Sequence, residues 1–247
     1  MMEIVLGFVI ALAIALTGVG AGSMTTPLLV LLLHVSPPTA VGTALAFGAI
    51  VKTVSVPSYA FRRQVNFRIL GFLFAGGVPG VLIGSLALNR LKNGPYTKAL
   101  YIALGTLIVG TAILHLYRVL RPAARPITRD HSRWLPWIAA PIGAEVGFSS
   151  AGAGALGSLV LLGLTPLSAA EVIGTDLCFG LGLSAIGSLI QVGAGNYDGA
   201  LLLKLVVGGI AGALTGATLA GRVAQKPLRV GLLLVLIVLG CQLAFHA

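Results

Sequence analysis

The chain has 247 residues, 57% of them hydrophobic and only 9% charged, with a formal net charge of +10 and a mean hydropathy of +1.03. Globular chains carry about 25% charged residues, so an ordinary soluble domain is excluded, and long stretches holding at most one charge mark a polytopic helical membrane protein. Fourteen of the 16 Lys and Arg lie in four short loops or at helix ends, a membrane-topology pattern rather than a nucleic-acid footprint, so no nucleic-acid partner is expected.

Eight hydrophobic segments are predicted, at about 4–33, 39–61, 66–88, 96–117, 135–164, 169–192, 199–220 and 228–245. The start, Met1 to Ile4, lacks the basic leader of a secretory signal and is expected to be retained. The first segment is anomalous. About 30 residues of helix span about 45 Å, against a hydrocarbon thickness of about 30 Å. Gly18, Gly20 and Gly22 interrupt it, followed by Ser23, Thr25, Thr26 and Pro27. Glycines favour non-helical backbone, so two partial helices meeting at an unwound point are expected. Such backbone persists at membrane depth only where protein or a water-filled cavity satisfies its amides. After three ordinary segments comes Arg118 to Arg133, polar and carrying five arginines. It divides a first transmembrane repeat (1–117) from a second (134–247), with 118–133 as a basic cytoplasmic linker facing anionic head groups. The fifth segment repeats the anomaly with Ser149, Ser150, Gly152, Gly154 and Ser158. Farther on, Ser168 and Glu171 have capping-box spacing and predict a helix start.

Sliding the chain on itself by 132 residues pairs 20–91 with 152–223 without a gap, and 19 of those 72 positions match. The matches cluster at Gly20/Gly152, Gly22/Gly154, Gly42-Thr43/Gly174-Thr175, Phe47-Gly48/Phe179-Gly180, Gly76-Gly77/Gly208-Gly209, Gly80/Gly212 and Gly84/Gly216. Paired repeats with an interrupted hydrophobic segment at corresponding places point to a transporter's binding site.

Charge discriminates between two topologies. Lys and Arg number three at 62–68, three at 90–98, five at 118–133 and three at 222–229. Eight full crossings place eight on one side and six on the other. If segments one and five turn back as hairpins, the split is eleven to three, which obeys the positive-inside rule. That leaves three crossings per repeat, and an odd number inverts the repeats. The fold expected is therefore all-α and polytopic, with two inverted repeats of four hydrophobic segments, the first of each glycine-broken and re-entrant.

At these residues the chain resembles the sulfite exporter TauE/SafE family. The pieces that carry the resemblance are TGVGAGSMTTPLLVLL (17–32), Ser36-Pro-Pro, AVGT (40–43), FGAIVKTV (47–54), GGVPGVLIG (76–84), VIGTDL (172–177), GNYD (195–198) and GGIAGALTG (208–216). Their order, spacing and duplication make the match, which covers nearly everything but the linker and the last helix. The resemblance implies a permease for small organosulfur or oxyanion substrates in a bacterial or archaeal plasma membrane. Several relatives carry an acid after the first Gly-Thr, where this chain has Ala44. No role for that acid carries over to the first repeat.

A helix starting just after a glycine break presents free N–H groups and its positive dipole end to an anion. Gly20, Gly22, Thr26, Gly152, Gly154 and Ser158 are therefore substrate-contact candidates, with Thr43 and Thr175 behind them, and close helix packing is the alternative for the four glycines. Gly80, Gly84, Gly212 and Gly216 form small-xxx-small pairs and read as helix packing. Lys52, Asp176 and Glu145 are ionisable residues at membrane depth, where a charge costs about 2.5–3.5 kcal/mol on insertion scales. Lys52 and Asp176 are candidates for charge balance and proton coupling, with a structural ion pair as the plain alternative, and Glu145 follows. Cys178 and Cys241 suggest neither a disulfide nor a metal site. No histidine accompanies a midspan serine, so no catalytic residue and no cofactor are expected. The function expected is alternating-access transport of a small anion such as sulfite, with a coupling proton or ion. A passive anion channel is the rival. The bilayer and a second copy of the chain are the remaining candidate partners.

Overall fold

A computed structural model describes residues 1–17, 21–92, 97–120, 131–152, 154, 156–219 and 225–245. Among them are ten α-helices and no strand. They are α1 (Met2–Thr17), α2 (Ala21–Leu33), α3 (Pro37–Phe61), α4 (Phe67–Lys92), α5 (Thr97–Leu120), α6 (Leu135–Ser149), α7 (Leu156–Leu164), α8 (Ala169–Gly193), α9 (Gly199–Leu219) and α10 (Gln225–Phe245). α3, α4, α5, α8, α9 and α10 each supply a stretch long and apolar enough to cross a membrane. Exposed Ile83, Leu86, Leu189 and Leu203 suit lipid rather than water. The chain is thus an all-α polytopic membrane protein.

The fifth hydrophobic segment is divided in two, α6 and α7, and the first supplies a pair as well, α1 and α2, on either side of residues 18–20. In the second pair the cause is visible. Ser150 closes α6 in the left-handed region (φ 61), and Gly152 (φ 91) and Gly154 (φ 100) hold backbone that side-chain-bearing residues rarely adopt. The His131 N–H donates to the Leu164 carbonyl at 2.9 Å. The start of α6 and the end of α7 therefore lie side by side, and the segment turns back on itself. The join of α1 and α2, with Gly18 and Gly20, lies outside the described residues, as do 121–130 of the linker. α5 runs three residues past 117, and one 3₁₀ turn (Ser132–Trp134) precedes α6.

Helix starts follow local chemistry. Ser168 and Glu171 form the capping box of α8, with the Ser168 hydroxyl accepting from the Glu171 amide and the Glu171 carboxylate accepting from the Ser168 amide. Asn66 Oδ1 accepts from the Ile69 amide and Asp198 Oδ1 from the Leu201 amide, which caps α4 and α9 alike.

Tertiary contacts recur at the same 132-residue offset. Gly76, Gly80 and Gly84 of α4 face the carbonyls of Pro136, Ala140 and Ala144 of α6. Gly208, Gly212 and Gly216 of α9 face those of Ile4, Phe8 and Leu12 of α1. A Cβ on Gly80 would stand 2.1 Å from the Ala140 oxygen, and one on Gly212 2.2 Å from the Phe8 oxygen. Glycine is needed there because backbones touch. Gly77 likewise lies against the Phe179 ring, and Gly209 against the Phe47 ring. The half-helix of each repeat thus packs in parallel on a crossing helix of the other. In contrast, Gly42 near the start of α3 meets Gln191 near the end of α8 and Asn196 just past it, while Gly174 near the start of α8 meets Gln64 just past α3. The equivalent helices α3 and α8 therefore run antiparallel.

Candidate functional site

The two broken segments meet. The Ser150 hydroxyl donates to the Gly22 carbonyl (3.1 Å) and pairs with the Thr26 hydroxyl (2.6 Å). Ser150 has one hydroxyl proton, so Thr26 is the donor in that second contact. Thr26 and Ser150 are both buried. A Cβ on Gly22 would come within 1.7 Å of the Ser150 carbonyl oxygen, so close approach of the two repeats is what this glycine permits.

Asp176 on α8 is buried (3% exposed) against the start of α7. The Ser158 hydroxyl donates to its Oδ2 at 2.5 Å and lies 3.0 Å from the Gly154 carbonyl. The amides of Gly154 and Ser158 face the same carboxylate. Its Oδ1 has no hydrogen-bond partner among the described residues and lies 2.0 Å from where a Cβ on Gly157 would stand.

Lys52 on α3 is also buried, and its Nζ donates to Ser184 Oγ on α8 at 3.1 Å. These two residues are 132 apart, so the sequence shift that pairs the two halves also pairs them. Among the described residues no ion pair joins Lys52 to Asp176. Glu145, a second buried acid, has an Oε1 without a hydrogen-bond partner among the described residues, with Thr111 of α5 as its hydroxyl neighbour and Gly152 facing Oε2.

Of the residues singled out from sequence, the structure gathers Gly22 and Thr26 at one junction, Gly154, Ser158 and Asp176 at another, and Gly152 with Glu145. Gly20 lies outside the described residues. Thr43 and Thr175 act alike, each fastening its repeat to the turn before a helix of the other. Their hydroxyls accept from the amides of Asp198 and Asn66, at 3.1 and 3.0 Å. Ser184, Gly157 and Thr111 were not singled out from sequence. For Ser184 the signal existed, because the 132-residue shift pairs it with Lys52. Nothing in the sequence marks Thr111.

The sequence profile of the family described as sulfite exporter TauE/SafE matches residues 3–243. Curated relatives include three proteins of Bacillus subtilis (strain 168), each described as a probable membrane transporter protein. YjnA is 29% identical over 97% of this chain and 98% of its own length. YdhB is 27% identical (99% and 100%) and YunE 24% (98% and 96%). No solved structure matches the chain. The names and the helices point to a transporter rather than an enzyme. With a match over nearly its whole length and six helices able to cross a bilayer, the chain belongs to the sulfite exporter TauE/SafE family, as a multi-pass transporter of the cell membrane.

Proposed function

We propose that this protein is a secondary transporter moving a small anion, a sulfur oxyanion such as sulfite or an organosulfonate, by alternating access between two inverted repeats and with coupling to protons. The observation that carries the reading is the meeting of the broken segments of opposite repeats at Gly22, Thr26 and Ser150, with Asp176 and Lys52 buried at the neighbouring α7–α8 and α3–α8 contacts. Rocking of one repeat against the other has to remake this junction, which suits a gate at a substrate site. The family's description supports a sulfur oxyanion.

Uptake of labelled sulfite into proteoliposomes tests the function. Saturable flux driven by an imposed pH gradient is expected, whereas unsaturable flux down the anion gradient alone would make the protein a channel. Inversion across the bilayer is tested with single cysteines at Arg62 and Ala194, exposed positions that the 132-residue shift pairs. In a background lacking Cys178 and Cys241, a membrane-impermeant maleimide should label position 194 in intact cells and position 62 only after lysis. Equal labelling of the two would overturn the inverted arrangement.

A further inference from the structure

We infer that the Asp176 carboxylate is a tethered competitor of the substrate anion at the start of α7, so that the anion binds there only together with a proton. The inference rests on the transport reading above and adds the order of events at one site. The first amides of a helix and its positive dipole end form a site for an oxyanion. At α7 a carboxyl group of the chain itself, that of Asp176, already occupies that place. Ser158 Oγ is 2.5 Å from Asp176 Oδ2, and the amides of Gly154 and Ser158 face the carboxylate. Asp176 is 3% exposed, and its Oδ1, directed at Gly157, has no partner among the described residues.

The other repeat has the same frame without the acid. Ala44 stands for Asp176, Thr25 for Gly157 and Thr26 for Ser158. The polar group has moved from the crossing helix to the half-helix, and the charge is gone. A carboxylate is therefore a feature of the second repeat alone, not a requirement of the fold. The charged surroundings are sparse. α7 has no ionisable residue, those of α4 (Arg68, Arg90, Lys92) lie at its ends, and α6 contributes Glu145. Lys52 of α3, held on Ser184 of the same helix α8, is the cation of the neighbouring helix.

Two anions cannot share one set of donors. A proton on the carboxyl cancels its charge and frees the Ser158 hydroxyl and the amides for an incoming oxyanion. One proton and one monovalent anion then enter together, with no net charge. The linkage has a fixed sign. Where Asp176 is protonated the anion binds tightly, and as pH rises through its ionisation the apparent Kd weakens, by at most about tenfold per pH unit for one linked proton.

The test titrates methanesulfonate, which does not itself change charge in the working range, against the purified full chain, reading the thermal midpoint at several pH values. Wild type should show the pH-dependent Kd. Asp176→Asn should show a flat profile, as tight at alkaline pH as wild type at acid pH. The pair Gly157→Thr with Asp176→Ala rebuilds the first repeat's arrangement in the second. It should fold and also give a flat profile, which keeps the test open if Asp176→Asn misfolds. Wild-type pH dependence persisting in both variants overturns the inference, and its loss in Glu145→Gln instead would move the competitor to Glu145. If wild type neither binds methanesulfonate nor transports sulfite, the transport reading falls and takes the inference with it. Flux with a pH-independent Kd sinks the inference alone.

Discussion

Replacing Lys52 by methionine separates a functional cation from a structural strut. The side chain is 6% exposed, and among the described residues its ammonium donates to one hydroxyl, that of Ser184 at 3.1 Å. Methionine keeps length and volume, so no cavity term enters. Removing a charge from membrane depth returns about 2.5–3.5 kcal/mol on insertion scales, while a hydrogen bond to a charged group is worth about 1.5–3 kcal/mol. The difference lies between about −0.5 and +2 kcal/mol of net stabilisation. Lys52→Met should therefore fold at least about as well as wild type and lose anion binding. Ser184→Ala, which leaves the ammonium in place and removes its partner, should destabilise by about 1–3 kcal/mol. Unfolding in detergent by a denaturant series measures the first quantity, and methanesulfonate-induced thermal shift measures the second. A loss of more than about 2 kcal/mol in Lys52→Met, with anion binding intact, would refute the reasoning and make Lys52 a strut between α3 and α8.

The interlocked glycines give a second set of outcomes. Gly80→Ala and Gly212→Ala each press a methyl onto a carbonyl of the opposite repeat, and matched losses of about 1–3 kcal/mol are expected from overpacking. Gly110→Ala meets open space and should gain up to about 1 kcal/mol from helix propensity; the same unfolding series ranks the three. At the junction of the broken segments, a double-mutant cycle on Thr26→Val and Ser150→Ala should return a coupling of about 0.6 kcal/mol, the usual size for hydrogen bonds between membrane helices. Coupling near zero would mean that the 2.6 Å contact does not hold the tips together.

Local and repeated features were legible in the sequence, and partnerships were not. Low charge and long apolar runs fixed the membrane class, because a bilayer admits a helix only when its side chains are apolar over its whole length. The glycine break at 152–154 marked where helix geometry fails, since removing Cβ opens the left-handed region that Gly152 and Gly154 occupy. The small-xxx-small spacing of Gly80 and Gly84 likewise announced a close helix neighbour. Which neighbour it was, the half-helix α6 of the other repeat, only the tertiary structure decided. It also placed Lys52 on Ser184 rather than in an ion pair with Asp176, turned the Thr43 and Thr175 hydroxyls to helix-start amides, and set Asp176 against Ser158. The physical reason is the solvent. In water an amphipathic stripe shows which face of a helix is packed. In lipid every face is apolar, and the choice among neighbours falls to shape and to a few hydrogen bonds. The contacts of Lys52 with Ser184, Thr43 with Asp198 and Thr175 with Asn66 join residues more than a hundred positions apart, and they exist only once the two halves of the chain have closed on each other.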